Sequence, residues 1–176
     1  THAGKSTLLN AMSSAGAYVD DRLFATLDTK TRLLHLGEGR EVLLSDTVGF
    51  IRHLPHGLVA SFRSTLDVAS EADLLLIVAD ASHPRVEDHL SVVQETLVEI
   101  DAAGVPSLLV LNKVDRVDDA TTLDRLLSTF PDACAISARK GSGLSELKAI
   151  LLSRLEQDGR FVKPTPGSVS EPWMDA

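Results

Sequence analysis

Thr1-His2-Ala3-Gly4-Lys5-Ser6-Thr7, the first stretch of the chain, decides how the rest is interpreted. It matches the second half of a phosphate-binding loop, in which a Gly and four further residues precede Gly-Lys-Ser or Gly-Lys-Thr. The leading Gly of that pattern would lie before Thr1, so the match is partial. In such a loop the backbone amides hold two phosphates, the Lys5 ammonium neutralises them and the Ser6 hydroxyl binds Mg²⁺.

The remainder of the chain alternates helix-like and strand-like segments. A helical apolar pattern follows the loop, and two short β-like runs at residues 31–36 and 41–45 flank a Gly37-Glu38-Gly39 turn. Further strands are predicted at residues 73–80 (buried on both faces), 107–111 and 133–136, and further helices at 58–69, 86–100 (ended by Gly104), 123–127 and 144–155. This order predicts a three-layer α/β/α fold with a mostly parallel sheet and one antiparallel hairpin.

Length and composition limit the classes of function that the chain can have. The 176 residues predict one domain, which we assign to residues 1–157, and a Pro- and Gly-containing tail over residues 158–176 that we expect to be flexible. The formal net charge of −8 argues against gripping nucleic acid mainly through a basic surface of this domain. No apolar run approaches the length of a membrane span, and the single Cys134 permits no internal disulfide, so we expect a cytoplasmic protein.

Three further motifs each follow a predicted strand, where ligands of parallel α/β folds bind. Asp46-Thr47-Val48-Gly49 offers an acid that can hold a metal through a water and an N–H for a γ-phosphate, although a capped turn carries the same residues. Asn112-Lys113-Val114-Asp115 offers a carboxylate that can accept two hydrogen bonds from guanine, a donor pair that adenine lacks. Ser137-Ala138-Arg139 can offer backbone N–H groups to the guanine O6.

Taken in order, these motifs resemble the signatures of small GTP-binding domains, the G domains of P-loop NTPases. Two longer runs resemble the HflX family in particular, namely Leu23-Phe24-Ala25-Thr26-Leu27-Asp28 and Asp46-Thr47-Val48-Gly49-Phe50-Ile51-Arg52-His53-Leu54-Pro55-His56. The resemblance covers residues 1–155. It implies a cytosolic GTPase that binds the large ribosomal subunit, through regions largely outside this chain, and can split ribosomes.

The resemblance also implies a site. Its nucleotide-binding residues would be Thr1, His2, Ala3, Gly4, Lys5, Ser6, Thr7, Phe24, Ala25, Thr26, Leu27, Asp28, Asp46, Thr47, Val48, Gly49, Asn112, Lys113, Val114, Asp115, Ser137, Ala138 and Arg139. Lys5, Thr26 and Gly49 would act in catalysis, and Ser6, Thr26 and Asp46 would hold Mg²⁺. K⁺ is a second candidate cofactor in related GTPases, but His2 replaces the Asn that helps to bind it, which argues against K⁺ here.

Two departures from the family carry consequences. Phe50 stands where Ras-like enzymes have the Gln that positions the attacking water, so the resemblance implies slow hydrolysis until a partner reshapes the surrounding loops. The family's first strand, which lies between the strands ending at Asp46 and Asp80, is absent from these residues. We therefore expect a sheet split into two with unpaired edges, and weak folding and weak GTP binding by this stretch alone.

Other interpretations stay open at this point. An Era- or Obg-type ribosome-assembly GTPase would carry the same short motifs, although the run at residues 50–56 argues against it. A nucleotide-gated binding module with negligible turnover is compatible with Phe50. An ATP-using kinase is disfavoured by Asp115. We expect a monomer whose partners are GTP or GDP and the large ribosomal subunit, and we expect no membrane association.

Overall fold

The computed structural model describes residues 3–13, 30–46 and 68–159. In chain order the elements are α1 (Lys5–Met12), β1 (Lys30–Gly37), β2 (Arg40–Asp46), β3 (Leu75–Asp80), α2 (Val86–Glu99), β4 (Ser107–Asn112), a 3₁₀ turn (Val114–Arg116), α3 (Ala120–Thr129), β5 (Cys134–Ala135) and α4 (Leu144–Gln157). Residues 68–70 are also helical. The rest of the predicted helix at 58–69 and the predicted tail beyond residue 159 lie outside the described residues.

The strands form two separate sheets within this part of the chain. β1 and β2 make an antiparallel hairpin, while β3, β4 and β5 make a parallel sheet with β4 in the centre. The register of the parallel sheet places Asp80 opposite Asn112, at the carboxyl ends of β3 and β4. The predicted mixture of a parallel sheet with an antiparallel hairpin is confirmed, and so is the predicted division into two sheets.

The core lies on both faces of β4. Leu108 and Val110 point into one cluster, which α1, α4 and the inner face of the hairpin complete. Leu109 and Leu111 point to the other side, where α2 and α3 pack. Alternate residues of a strand point to opposite faces, so this strand is covered by helices on both sides, as expected for the central strand of a parallel sheet. The three layers position the ends of β3 and β4 together.

The strand predicted at residues 73–80 packs against the core on both faces, with Leu76 and Val78 against one cluster and Ile77 and Ala79 against another, but its burial is incomplete. Most of β3 is only partly buried, and Ala79 is its one fully buried residue. Among the described residues β3 pairs with β4 alone and has an edge position in its sheet, which leaves its other edge uncovered there. An apolar run of this kind indicates that a strand is suited to burial. The position of the strand in the sheet decides how much of its surface is buried.

The end of α2 also differs from the prediction that Gly104 ends the helix. The helix ends at Glu99, and Asp101 adopts the left-handed conformation with φ 56°. The Ala102 N–H donates to the Leu97 carbonyl at 2.8 Å and the Asp101 N–H donates to the Val98 carbonyl at 3.2 Å. These two bonds are those of a Schellman motif, in which Asp101 takes the place that glycine usually holds.

The helix predicted at residues 123–127 is longer in the structure. α3 begins at Ala120 because Asp119 caps it, with its carboxylate accepting a hydrogen bond from the Thr121 N–H at 3.0 Å. No helix in the described residues is long and apolar enough to cross a lipid bilayer.

Candidate functional site

The loop before α1 is shaped by Gly4. Its φ of 85° is left-handed, and a Cβ added there would lie 2.6 Å from Nδ2 of Asn112. Both facts require glycine at this position. The Gly4 carbonyl accepts the first helical hydrogen bond, from the Leu8 N–H at 2.9 Å, so Lys5, Ser6 and Thr7 form the first turn of α1. The N–H groups of a first helical turn lack helical partners and suit an anion.

Asn112 fastens this loop to the end of the parallel sheet. Its side chain is 2% exposed, its Nδ2 donates to the Ala3 carbonyl at 2.9 Å, and its Oδ1 accepts from the Ala138 N–H at 3.0 Å. One buried amide therefore ties together the ends of β4 and β5 and the loop before α1. Buried amides are stable only when both ends are hydrogen-bonded, as they are here.

Ser6 and Asp46 bring α1 and the end of β2 together. The Ser6 hydroxyl donates to Oδ2 of Asp46 at 2.9 Å. The other carboxylate oxygen, Oδ1, is buried and has no hydrogen-bond partner within the described part of the chain. An unpaired buried carboxylate oxygen is costly, and a hydroxyl beside a carboxylate is a set of hard oxygen ligands that suits Mg²⁺. The residues present therefore fit the predicted metal.

Asp115 is held by the loop after β5. The hydroxyl of the fully buried Ser137 donates to Oδ1 of Asp115 at 2.6 Å. This hydrogen bond is the main cause that lowers the pKa of Asp115, so the carboxylate is charged at neutral pH. Ser137 is itself fixed, because its N–H donates to the Ser142 carbonyl at 3.0 Å and its carbonyl accepts from the Gly141 N–H at 2.8 Å. The carboxylate is thus both charged and oriented.

Lys113 crosses from the end of β4 toward the end of β3. Its ammonium donates to Oδ2 of Asp80 at 2.5 Å, and its Cε lies 3.8 Å from the position of a Cβ on Gly4. Burial opposes the charged form of Asp80, but hydrogen bonds from Lys113 and Ser82 outweigh it and lower its pKa. Asp80 was not among the predicted site residues. Its position directly after an apolar strand, shared with the predicted motifs, was the signal that could have found it.

The structure brings most of the described site residues together. Direct contacts or close approaches join Ala3, Gly4, Ser6, Asp46, Asn112, Lys113, Asp115, Ser137 and Ala138. Lys5 and Thr7 lie on the first turn of α1, Val114 begins the 3₁₀ turn, and Arg139 is exposed beside Ala138. The other predicted site residues lie outside the described residues, and their roles stay predictions: Thr1, His2, Phe24, Ala25, Thr26, Leu27, Asp28, Thr47, Val48 and Gly49.

Sequence comparison relates the chain to GTPases. The profile of a family described as 50S ribosome-binding GTPases matches residues 1–113. A GTPase HflX of Gluconacetobacter diazotrophicus is 49% identical over 158 residues, which cover 90% of this chain and 35% of that protein. A GTPase HflX of Escherichia coli is 46% identical over 156 residues, with 88% and 37% covered. The chain thus spans about a third of the length of these relatives.

Structural comparison gives the same fold. A GTP-binding protein of the archaeon Sulfolobus solfataricus, solved in complex with GDP, superposes with a TM-score of 0.68 at 28% identity and covers 89% of this chain and 50% of that one. Aquifex aeolicus Era bound to GDP and AlF4⁻ superposes with a TM-score of 0.59 at 24% identity, covering 86% of this chain and 52% of that one. At that identity the second likeness concerns the fold alone. The predicted fold class, a P-loop NTPase G domain, is confirmed.

Proposed function

This chain belongs to the family of 50S ribosome-binding GTPases, and within it to the HflX GTPases, and from that premise we propose that it binds GTP and hydrolyses it with the help of Mg²⁺. The observation that carries this proposal is the double hydrogen bond of Asn112, which joins the proposed phosphate-binding loop to the proposed base-recognition loop. A nucleotide spans those two places, with its phosphates at one and its base at the other. The edge of the sheet between them is the site.

The phosphates bind at the N-terminal turn of α1. Gly4 lets the backbone approach closely, and the N–H groups of the first turn suit an anion. We propose that the Lys5 ammonium neutralises the phosphate charge. α1 has no acidic residue in its first turn, so nothing in the helix itself opposes an anion there. This arrangement supports a polyphosphate ligand over a neutral one.

Mg²⁺ would be held by Ser6 directly and by Asp46, as the donor set at their contact supports. When bound there, the ion would supply positive charge that neutralises the negative charge developing on the phosphates. Thr26 is our proposed third contact to the metal, made while the triphosphate is bound. Replacing the bond between Ser6 and Asp46 by two metal contacts would also give Oδ1 of Asp46 a partner, directly or through water.

Guanine is recognised by Asp115. Ser137 holds one carboxylate oxygen and keeps the group charged, which prepares it to accept hydrogen bonds from the two donors on the guanine edge. Ala138 and Arg139 follow Ser137 in the same loop. The Ala138 N–H already donates to Oδ1 of Asn112, so the Arg139 N–H is our proposed donor to the guanine O6. A site of this kind discriminates strongly against adenine, because adenine would leave the carboxylate unpaired.

Hydrolysis requires positioning and charge stabilisation rather than a covalent protein intermediate. We propose Lys5, Thr26 and Gly49 as the residues that contact the γ-phosphate. Phe50 cannot orient a water molecule by hydrogen bonding, so turnover by the isolated protein is slow and rises with an activating partner. From the family description, we propose the large ribosomal subunit as that partner. A monomeric, nucleotide-gated binding module with negligible turnover is the competing function, which Phe50 favours.

The test is GTP turnover by the full-length protein with and without purified large ribosomal subunits. Wild type is compared with Ser6→Ala, which removes the metal-binding hydroxyl, and with Ser91→Ala, a control on the exposed side of α2. We expect ribosomal subunits to stimulate wild type and the control alike, and Ser6→Ala to lose turnover. Turnover that is unaffected by ribosomal subunits would show that the large ribosomal subunit is not the activating partner. Undetectable turnover under every condition, with GTP still bound, would favour the binding module.

A further inference from the structure

Asp80 occupies a constrained position at the end of β3. Its Oδ1 accepts two hydrogen bonds from Ser82, from the N–H at 3.1 Å and from the hydroxyl at 2.6 Å. Its Oδ2 is thereby turned toward the Lys113 ammonium, which donates to it at 2.5 Å. Both side chains are largely buried, with 17% of Asp80 and 22% of Lys113 exposed. A charged pair in such a position is screened by salt much less than a surface pair.

The backbone of Lys113 is in an unusual conformation. Its φ of 66° is left-handed, which is unfavourable for a residue with a side chain and persists only where the surrounding structure fixes it. The next residues form the 3₁₀ turn, in which Arg116 donates its N–H to the Lys113 carbonyl at 2.9 Å. Asp115, the base-recognition residue, lies inside that turn. The conformation of Lys113 therefore contributes, together with the hydrogen bond from Ser137, to where the Asp115 carboxylate lies.

The Lys113 side chain also lies against the phosphate loop. Its Cε is close to the position that a Cβ on Gly4 would take, so the aliphatic stem lies beside the loop before its ammonium reaches Asp80. Lys113 thus begins the base-recognition turn while its side chain lies beside Gly4. Asp80 holds its end from the last position of β3.

We propose that Asp80 is a positioning residue for the guanine nucleotide, which holds Lys113 in the left-handed turn between the phosphate loop and the base-recognition loop. This inference rests on the proposed function, because it concerns the same nucleotide site. Asp80 acts through Lys113 and not on the reacting atoms. Its loss therefore raises the rate at which nucleotide dissociates and leaves the hydrolysis step unchanged at saturating GTP.

The test is a double-mutant cycle on the dissociation of a fluorescent GDP analogue from the full-length protein. Asp80→Asn keeps an acceptor for Ser82 but removes the charge that holds Lys113, and we expect it to accelerate dissociation about tenfold. Lys113→Gln should accelerate it at least as much. Since Asp80 acts through Lys113, the double variant should release the analogue no faster than Lys113→Gln alone.

A matched control comes from the Glu87–Arg125 ion pair between α2 and α3, which lies outside the site. Glu87→Gln also breaks an acid–base pair between two elements and should leave dissociation unchanged. Independent, multiplying effects of Asp80→Asn and Lys113→Gln would overturn the inference, as would equal dissociation from Asp80→Asn and Glu87→Gln. A fall in kcat at saturating GTP larger than about twofold would also overturn it.

Failure of the proposed function is separately visible. A wild-type protein that binds ADP analogues as tightly as GDP analogues overturns both the function and the inference. A wild-type protein that selects GDP while Asp80→Asn behaves normally overturns the inference alone. If Asp80→Asn loses its cooperative thermal transition, Ser82→Ala takes its place, since it removes the hydroxyl hydrogen bond to Oδ1 without changing a charge. Faster dissociation from Ser82→Ala then supports the inference, and unchanged dissociation overturns it.

Discussion

The side-chain nitrogen of Asn112 lies 2.9 Å from the carbonyl oxygen of Ala3, although 109 positions separate the two residues. The same side chain accepts the Ala138 N–H, so the loop before α1 and the loop after β5 are fixed relative to each other by one amide. If the nucleotide binds across these two loops as proposed, its binding depends on the packing of β4.

Replacing Asn112 by alanine should affect folding and binding together. The Ala3 carbonyl and the Ala138 N–H would lose their partner in a site that is 2% exposed, and each such loss costs about 1–3 kcal/mol. We expect Asn112→Ala to lower the free energy of unfolding in urea and to abolish tight GDP binding. Asn10→Ala on the exposed side of α1 is the control and should change stability by less than about 0.5 kcal/mol. Wild-type GDP affinity in Asn112→Ala would contradict the bridging role.

Comparing Gly4→Ala with Gly39→Ala separates the cost of backbone strain from the cost of the steric contact with Asn112. Gly4 and Gly39 both have positive φ, 85° and 71°, but a Cβ on Gly4 would lie 2.6 Å from Asn112 while one on Gly39 would meet nothing within 4 Å. Backbone strain alone costs about 1 kcal/mol, so Gly39→Ala should lower the free energy of unfolding by that amount. Gly4→Ala should lower the free energy of unfolding clearly more than Gly39→Ala does, and it should also weaken GDP binding. Equal losses in thermal or urea denaturation would show that the contact with Asn112 is unimportant.

The sequence was informative about the fold class and about the site residues that lie at the ends of predicted strands. Asn112 and Ser137 lie at or just after the ends of two neighbouring parallel strands, and because parallel strands end at one edge of a sheet, their meeting there was predictable. The pairing of Ser6 with Asp46 follows from their shared proposed role at a metal. The fold class was likewise predictable, because strand and helix periods alternate clearly along the chain.

Features that depend on tertiary neighbours were not predictable. The partial burial of β3 depends on its edge position, which no property of its own residues reveals. Asp101 ends α2 because it can adopt the left-handed turn that lets Ala102 reach the Leu97 carbonyl, so Gly104 was not needed. The ion pair of Asp80 with Lys113 depends on the left-handed backbone of Lys113, a conformation that the sequence does not favour.

Acid should remove the contribution of Asp80 to stability. Its pKa in the folded protein lies below the ordinary value of 3.8, so the stabilisation is fully present above that pH and is lost as the pH falls through the folded pKa. We expect the difference in unfolding free energy between wild type and Asp80→Asn to be constant near neutral pH and to shrink below about pH 3.8. A difference that stays unchanged in acid would mean that the charge of Asp80 does not stabilise the fold.

Cys134 should be unreactive in the folded protein. It is 3% exposed, and burial, with a smaller contribution from the charge of Glu146, raises the pKa of its thiol to about 11. Only about one thiol in a thousand is then ionised at pH 8, and the thiolate is the reactive form. We expect a thiol reagent to label native protein slowly and urea-unfolded protein at once. Since Cys134 is the chain's single cysteine, rapid stoichiometric labelling under native conditions would contradict its placement in the core.

The central claim is that Asp115, oriented by Ser137, makes this a guanine-nucleotide site. Asp115→Asn exchanges the acceptor pair for an amide, which matches xanthine, with its additional carbonyl, better than guanine. The decisive measurement is the affinity of wild type and Asp115→Asn, in the full-length protein, for GTP, XTP and ATP. We predict that wild type selects GTP over both others and that Asp115→Asn prefers XTP to GTP. An unchanged preference for GTP in Asp115→Asn, or a preference of wild type for ATP, would contradict the account.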